Sequence, residues 1–311
     1  MYSSRIADSN DSDQFATMIR PHDNDYTVTE RGSFKARSTL FTLGRLGAQQ
    51  ACENLCRISH FETTRVGIVL LTEPGPSFVW NGAEVGYDQV GVFGPGVSCS
   101  FRLQGPTKWA SVSLTKDDID ALGTSYLGDR PDWMKVGMVF TPSPTALLRL
   151  RALHFSARRL AEGAPGLLAS LTSVHLEQAF IQALFETIHV PAPPFDTKAR
   201  QHQQIVISRF HSILEAAGDQ SLDMLEISRA IGVSSRTLRA ACQIQLGVSP
   251  TQYLLLRRMH AVRRTLLQAD PAIARVTAIA TEYGFWELGR FAHKYRQIFG
   301  ETPSKTLKCA L

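Results

Sequence analysis

LEISRAIGVSSRTLRAACQIQLGVSP (Leu225–Pro250) and VTAIATEYGFWELGRFAHKYRQIFGETP (Val276–Pro303) carry one pattern twice. Each opens with a short segment that has small and apolar residues on one face, Ile227 and Ala230 in the first and Ile279 and Ala280 in the second, and then reaches a glycine, Gly232 or Gly284. Glycine suits a tight turn between two helices because the turn needs positive φ and room for the second helix to cross. Apolar residues then recur at i, i+4 and i+8, as Leu238, Cys242 and Leu246 in one copy and Phe291, Tyr295 and Phe299 in the other, which predicts an amphipathic helix. Both helices end at a glycine with a proline three residues later, Gly247 with Pro250 and Gly300 with Pro303. The copies differ in register by one residue, since six positions separate Gly232 from Leu238 and seven separate Gly284 from Phe291. They read as two helix-turn-helix units.

Ser249 and Pro250 make a helix start, serine as N-cap and proline at the first helical position, and the run Thr251–Gln268 keeps helical character. About 18 residues at roughly 1.5 Å each give near 27 Å, which suits holding two recognition helices about one duplex turn, roughly 34 Å, apart on the same side of double-stranded DNA. The first recognition helix opens at Ser234, and the face opposite Leu238 and Cys242 presents Ser235, Arg236, Arg239 and Gln243. Arginine can bond guanine O6 and N7 in pairs, and glutamine can do the same to adenine. Outward positions of the second helix are Glu287, Gly289, Arg290 and His293; Gly289 has no side chain to offer, so Arg290 and His293 are its base-reading candidates. The first unit is therefore expected to carry more sequence information. Lys294 and Arg296 suit phosphate or solvent, and Arg257, Arg258, Arg263 and Arg264 on the joining helix read as a solvated, partly phosphate-facing stripe. Phosphate anchoring stays open for Arg236 and Arg239, because half to two-thirds of protein–DNA hydrogen bonds go to phosphate and sugar. His293 can equally be a surface residue.

Charge follows the motifs. Residues 196–311 hold 16 Lys and Arg against 9 Asp and Glu, whereas residues 1–195 hold 17 against 19, so the surplus of +5 in the 311-residue chain comes from the carboxyl-terminal part. No apolar run approaches ~18 residues, so no membrane span is expected. The start MYSSRIADSNDSDQF lacks an apolar core and is acidic, which argues against a signal peptide. Five dispersed cysteines fit a reducing, cytoplasmic setting.

The doubled motif, and above all YGFWELGRFAHKYRQIFGETPSKTL (Tyr283–Leu307), resembles the AraC/XylS family of bacterial transcription regulators over residues 203 to 308. A second likeness, ENLCRISHFETTRV (Glu53–Val66), is similar to the amino-terminal domain of the XylS-like branch. The resemblance implies a cupin-like amino-terminal β-barrel and groove-facing positions at Arg236, Arg239 and Ala240. Alanine at 240 departs from the long polar residue often found there. It also implies RNA polymerase as a partner, activation more than repression, and control of the amino-terminal domain by an aromatic or other small organic acid or by a protein partner.

Upstream, the first twenty residues are polar and read as poorly ordered. From about Ser33 to Phe140 short runs such as RVGIVLL, FVWNG, VGVFG and CSFRLQ, punctuated by Gly and Pro, predict a barrel or sandwich. Lys116–Leu122 can form one short helix within it. Two helices follow, Thr145–Glu162 and Gly166–Ile188; the second bears the stripes Leu167, Leu171, Val174, Ile181, Phe185 and Leu176, Phe180, Leu184, of which one can pack on the barrel and the other on a second subunit, unless both are core. The architecture expected is α+β: a regulatory and dimerisation domain over 1–190 with helices about 145–188, a proline-marked linker (Pro191, Pro193, Pro194) over 191–202, and an all-α double helix-turn-helix domain over 203–311. Aromatic strand residues, Trp80, Tyr87 and Trp109 among them, can wall an effector site, with Arg102 or Arg65 pairing a carboxylate, or can be ordinary core, since strand aromatics usually pack against one another.

Catalysis has little to stand on. No histidine lies between His60 and His154, so a metal-binding barrel lacks ligands; Cys52 and Cys56 have no partner ligands; and neither GxxxxGK nor GxSxG occurs. No cofactor and no metal are expected. The sequence reads as a homodimeric, sequence-specific transcription regulator, with a ligand-sensing or protein-interaction module of vestigial DNA binding as the alternative.

Overall fold

The computed structural model describes residues 2–19, 24–96, 98–127, 138–163, 171–188, 197–218 and 223–308. Its amino-terminal half begins with β1 (Tyr2–Ser9), α1 (Ser12–Met18), β2 (Asn24–Val28), β3 (Ala36–Leu43), β4 (Leu46–Glu53), β5 (Arg57–Phe61) and β6 (Arg65–Leu71). It continues with β7 (Phe78–Trp80), β8 (Ala83–Val85), β9 (Val90–Phe93), β10 (Cys99–Leu103), β11 (Thr107–Thr115), α2 (Lys116–Leu127) and β12 (Val139–Phe140). Two antiparallel sheets result, one in the order β1-β3-β4-β11-β6-β9-β12 and the other β2-β5-β10-β7-β8. They face each other without closing into a barrel, a cupin-like arrangement.

Strand alternation explains how the large sheet serves two cores. On β6, Val66, Ile68 and Leu70 point outward to the helices, while Val69 and Leu71 point between the sheets. The inter-sheet core holds Phe15, Tyr26, Trp80, Phe101 and Trp109 around one buried ion pair. Arg57 donates from Nε and Nη2 to the two Glu53 oxygens at 3.0 Å each, Trp109 Nε1 donates to Glu53 at 2.6 Å, and Tyr26 donates its hydroxyl to the same carboxylate. The guanidinium lies 4.2 Å from the Phe101 ring centroid.

The outer face of the large sheet is covered by α3 (Pro144–Gly163) and α4 (Leu171–Ile188). Phe180, Ile181, Leu184 and Phe185 are all buried in that one cluster and Leu176 packs against it, so both α4 stripes belong to the core. The subunit role of Leu176, Phe180 and Leu184 is thereby corrected: a helix covered on two sides shows two apolar stripes without a partner chain. Residues 166–170, expected to open this helix, lie outside the described residues. The exposed apolar face sits instead on α3, where Leu148 is 62% and Phe155 51% exposed.

The opening residues also differ from expectation. β1 pairs with β3 over eight residues, from Tyr2↔Leu43 to Ser9↔Ala36. Its polar sequence is that of an edge strand with mostly solvent-facing side chains. Next along the chain, Asp11 caps α1 by accepting from the backbone N–H of Asp13 and Gln14 at 2.9 Å.

The carboxyl-terminal half is helical: α5 (Thr197–Ala217), α6 (Met224–Ile231), α7 (Ser235–Gln245), α8 (Pro250–Gln268), α9 (Val276–Glu282), α10 (Leu288–Phe299) and α11 (Pro303–Lys308). Residues 197–202, placed in a linker by their sequence, are the first turns of α5; 191–196, with the three prolines, lie outside the described residues. Among the described residues no helix is long and apolar enough to cross a membrane.

Leu184→Asp should unfold the amino-terminal half, because it buries a charge without a partner; a folded variant with an unchanged thermal transition would contradict the core assignment. Leu148→Asp should leave the fold intact by circular dichroism, and its sedimentation reads whether a second copy sits on α3.

Candidate nucleic-acid interface

The two units are built alike. Gly232 closes α6 at φ +81° and donates its N–H to Ser228 and Arg229 carbonyls at 3.1 Å. Gly284 turns the chain after α9 at φ +78°, where the Phe285 N–H reaches the Ala280 carbonyl at 2.9 Å. Ser234 caps α7 by accepting from Thr237 N at 3.1 Å, and Ser249 caps α8 by accepting from Gln252 N at 3.2 Å with Pro250 in the first turn. One apolar cluster joins α5, α6, α7 and the start of α8; a second joins the rest of α8 with α9, α10 and α11. Thus α8 is a wall of both cores, which fixes the recognition helices α7 and α10 to one beam.

The buried face of α7 is Leu238, Ala241, Cys242 and Gln245, and that of α10 is Phe291, Tyr295 and Ile298, with Phe299 only half-buried. The opposite face of α7 exposes Ser235, Arg236, Arg239 and Gln243 together, as the spacing implies. Among the described residues neither Arg236 nor Arg239 has an ion-pair or hydrogen-bond partner. The Ser235 hydroxyl leans on Ser228 at 3.3 Å, and Gln243 Nε2 donates back to the Gly247 carbonyl at 3.3 Å, so both must turn to meet a base. On α10, Arg290 is exposed and 3.4 Å from Glu287, the exposed His293 meets Gln297 at 2.7 Å, and Lys294 is half-buried beside them.

The arginines of α8 behave differently, and this corrects their reading as a solvated, phosphate-facing stripe. Arg257 Nε lies 2.9 Å from Asp25; Arg263 Nη1 lies 2.5 Å from Asp11 and 3.1 Å from Asp13; Arg264 Nη1 lies 3.1 Å from Asp13. Arg258 packs over the Phe285 ring at 5.3 Å. Tyr253 adds a hydrogen bond to Asp25 at 2.7 Å, and His260 Nε2 meets the Val28 carbonyl at 3.3 Å. Burial works against the charge on Asp13, yet His260, Arg264 and Arg263 outweigh it and hold the carboxyl at about 2. These aspartates lie on or beside α1 and on β2, so the amino-terminal half is seated on the helix that carries both recognition helices. The start of the chain is acidic, but nothing local shows that the partners of Asp13 lie 250 and 251 residues away.

Strand β5 makes the second attachment. Ile58 belongs to the apolar cluster of α5 and α7, and the His60 ring stacks on His211 of α5 at 3.6 Å and 2°. Burial depresses His60 to about 4, and burial with the charges of His60 and Arg257 takes His211 well below its ordinary value. Asp25 Oδ2, 3.7 Å from His211, Ser98 Oγ, 2.6 Å from His60, and Gln204, bound to the Ser98 carbonyl, complete the surroundings.

Of the four effector-site candidates, the structure brings two together. Trp80 and Trp109 line a cavity of about 60 Å³ between the sheets with Arg57, Ser59 and Phe101. Tyr87 lies elsewhere, under the Arg151 guanidinium at 3.5 Å, and Arg102 reaches toward Gly247 at the end of α7. Arg65 also lines the cavity but is spent on Ser113 and the Arg45 carbonyl at 2.9–3.0 Å. A larger cleft of about 960 Å³ opens between the sheets and α5, lined by His60, Arg65, Lys116, His211 and Glu215.

Residues 227–308 match the family model described as a helix-turn-helix domain. A probable thc operon regulatory protein of Rhodococcus erythropolis is 44% identical over 95 residues, 30% of this chain and 29% of that protein. XylDLEGF operon transcriptional activator 2 of Pseudomonas putida is 34% identical over 99 residues, 32% of this chain and 63% of that protein. The chain thus matches less than two thirds of the length of either relative. The AraC-like transcriptional activator CuxR is similar over 99% of this chain and 100% of its own, at 12% identity and TM-score 0.46, too distant to transfer residue roles.

In the unfolded chain both histidines titrate near 6.5. Between about 6.5 and 4 the unfolded state binds more protons than the folded one, so stability is full above about 6.5 and falls as pH drops toward 4. Replacing His60 and His211 together by Gln should flatten that slope in urea unfolding followed from pH 7 to 5; an unchanged slope would show that the stack does not govern it.

Proposed function

We propose that this chain, which belongs to the AraC/XylS family of bacterial transcription regulators, binds specific sites in double-stranded promoter DNA and activates transcription from the cytoplasm through contact with RNA polymerase. The observation that carries the reading is the division among its arginines. Those of α8 are tied to aspartates or to Phe285, whereas Arg236 and Arg239 stand exposed and unpaired among the described residues on the outer face of α7. Unpaired cations on a recognition helix are available to base edges and phosphates.

Arg236 and Arg239 read bases, Gln243 and Ser235 assist after turning outward, and Arg290, His293 and Lys294 serve the second half-site. Arg239→Ala should lose about 1–3 kcal/mol on a selected site and relax preference at one base position, while Lys294→Ala should weaken all duplexes alike and lower the salt slope by about one. Equal weakening of every sequence by Arg239→Ala would make that residue a phosphate anchor and remove its assigned role in specificity.

Regulation acts through the attachments of the amino-terminal half at α8 and along β5. Along β5, Arg57 and Ser59 face the small cavity while Ile58 and His60 face α5, so an effector that spreads the cavity shifts the strand that holds the helix-turn-helix core. The effector is a small organic acid, seated against Trp80 and Trp109. A void of about 60 Å³ matches about two water volumes, so entry requires movement. The chain assembles as a homodimer through the α3 face of Leu148 and Phe155; folded Leu148→Asp that remains dimeric would remove this role.

Asp13→Asn combined with Asp25→Asn should free Arg257 and Arg264 while Arg263 stays on Asp11, loosen the seating, and raise the salt slope of DNA binding by up to about one per freed arginine that meets a phosphate. A small organic acid that quenches the buried tryptophans should move the slope the same way. If neither treatment alters DNA affinity or its salt dependence, the amino-terminal half does not act through α8.

A further inference from the structure

Trp286 is out of keeping with its residue type. Its indole is 78% exposed, whereas Trp80 and Trp109 are 1% and 4% exposed. It sits between Phe285, which packs on Phe291 with ring centroids 5.0 Å apart, and Glu287, the N-cap of α10. With Phe285 packed inward and the Glu287 carbonyl accepting from the Phe291 N–H at 2.9 Å, the chain turns the indole outward just before the second recognition helix begins. Trp286, Arg290 and His293 line one hollow of about 510 Å³, whose floor includes Met259 and Phe285 and whose rim includes Lys294. A methyl group built on Gly289 would meet nothing within 4 Å, so the surface beside the indole is open to close approach.

A helix-turn-helix recognition helix presents its amino-terminal residues to base edges, and an apolar side chain in the major groove meets the thymine C5-methyl group. Arg290 and Lys294 on the rim outnumber the one carboxylate there, Glu287, and leave a positive surplus that favours a polyanion over an apolar protein face. We infer that Trp286 is a specificity-determining residue of the second unit, which reads a thymine by packing its indole against the C5-methyl group. The second unit, poor in polar readers because Gly289 has no side chain and Arg290 leans on Glu287, recognises sequence through shape and apolar contact. This rests on the reading of residues 227–308 as DNA-binding.

The test uses the full chain and a duplex selected from genomic fragments, with each thymine replaced in turn by uracil, which lacks only the methyl group. Wild-type protein should lose about 4-fold in affinity at one thymine of the second half-site, the worth of one buried methyl group. Trp286→Ala should lose about 10-fold on the thymine duplex and be indifferent to uracil at that position, while Trp286→Phe should retain part of the discrimination. Indole accessibility to iodide should fall when DNA binds the wild-type protein. A uracil profile identical in wild type and Trp286→Ala, with DNA binding intact, would overturn the inference and leave the DNA-binding reading standing. Unchanged DNA binding with lost transcription activation by polymerase would do the same and assign the indole to a protein partner. Absence of any duplex binding by the wild type would overturn both readings.

Discussion

Charge pairing along α8 is the constraint on which the arrangement of this molecule depends. One 19-residue helix completes both helix-turn-helix cores with its apolar side and receives Asp11, Asp13 and Asp25 on its basic side. Arg263 and Asp13 are largely shielded from water, so neither can lose its partner cheaply: breaking a buried pair by removing one member strands the other charge. The carboxyl of Asp13 is held at about 2, which keeps its own pairs with Arg263 and Arg264 ionic at any pH well above that value. Because α8 cannot tilt without disturbing all three packings, the spacing of α7 and α10 is coupled to the seating of the amino-terminal half.

The inter-sheet core supplies the opposite case, a charge pair that faces no partner domain. Glu53 and Arg57 satisfy each other, and Tyr26, Ser59 and Trp109 take up remaining hydrogen-bonding capacity. Such a network is worth little as net stability but penalises every packing that leaves one member unpaired. It therefore fixes the face of β5, and with it which residues of that strand meet α5. A one-residue slip would put Arg57 against the helix and Ile58 into the cavity, exchanging both environments at once.

What could be read in the sequence was what is local. Turn glycines, N-cap serines and the i, i+4, i+8 apolar runs are decided within a few residues, so both helix-turn-helix units and α8 stand where their patterns place them. The α7 face of Arg236 and Arg239 was legible for the same reason. Features set by distant packing were not. The two stripes of α4 look alike whether a sheet, another helix or a second subunit covers them, and β1 disguises itself because an edge strand can be polar. Arg263 carries no local mark of Asp11 and Asp13. Trp286 was hidden differently: it precedes the helix, so scanning helical faces passes over it.

The surplus positive charge of the carboxyl-terminal half thus divides into two populations with different physics. Arginines of α8 spend their charge within the molecule, where partial burial strengthens each pair and salt screens it little. Arg236, Arg239 and Arg290 spend none of theirs on a buried partner, and Arg290, 84% exposed beside a Glu287 that is 74% exposed, holds that neighbour weakly. A count of basic residues treats both populations alike; the geometry ties one to the seam that holds the recognition helices and leaves the other exposed. On the proposed reading specificity rests on few side chains, two arginines on one helix and an indole with an arginine and a histidine on the other, so small changes in how α8 is seated are enough to bring both sets into register with DNA or to take one away.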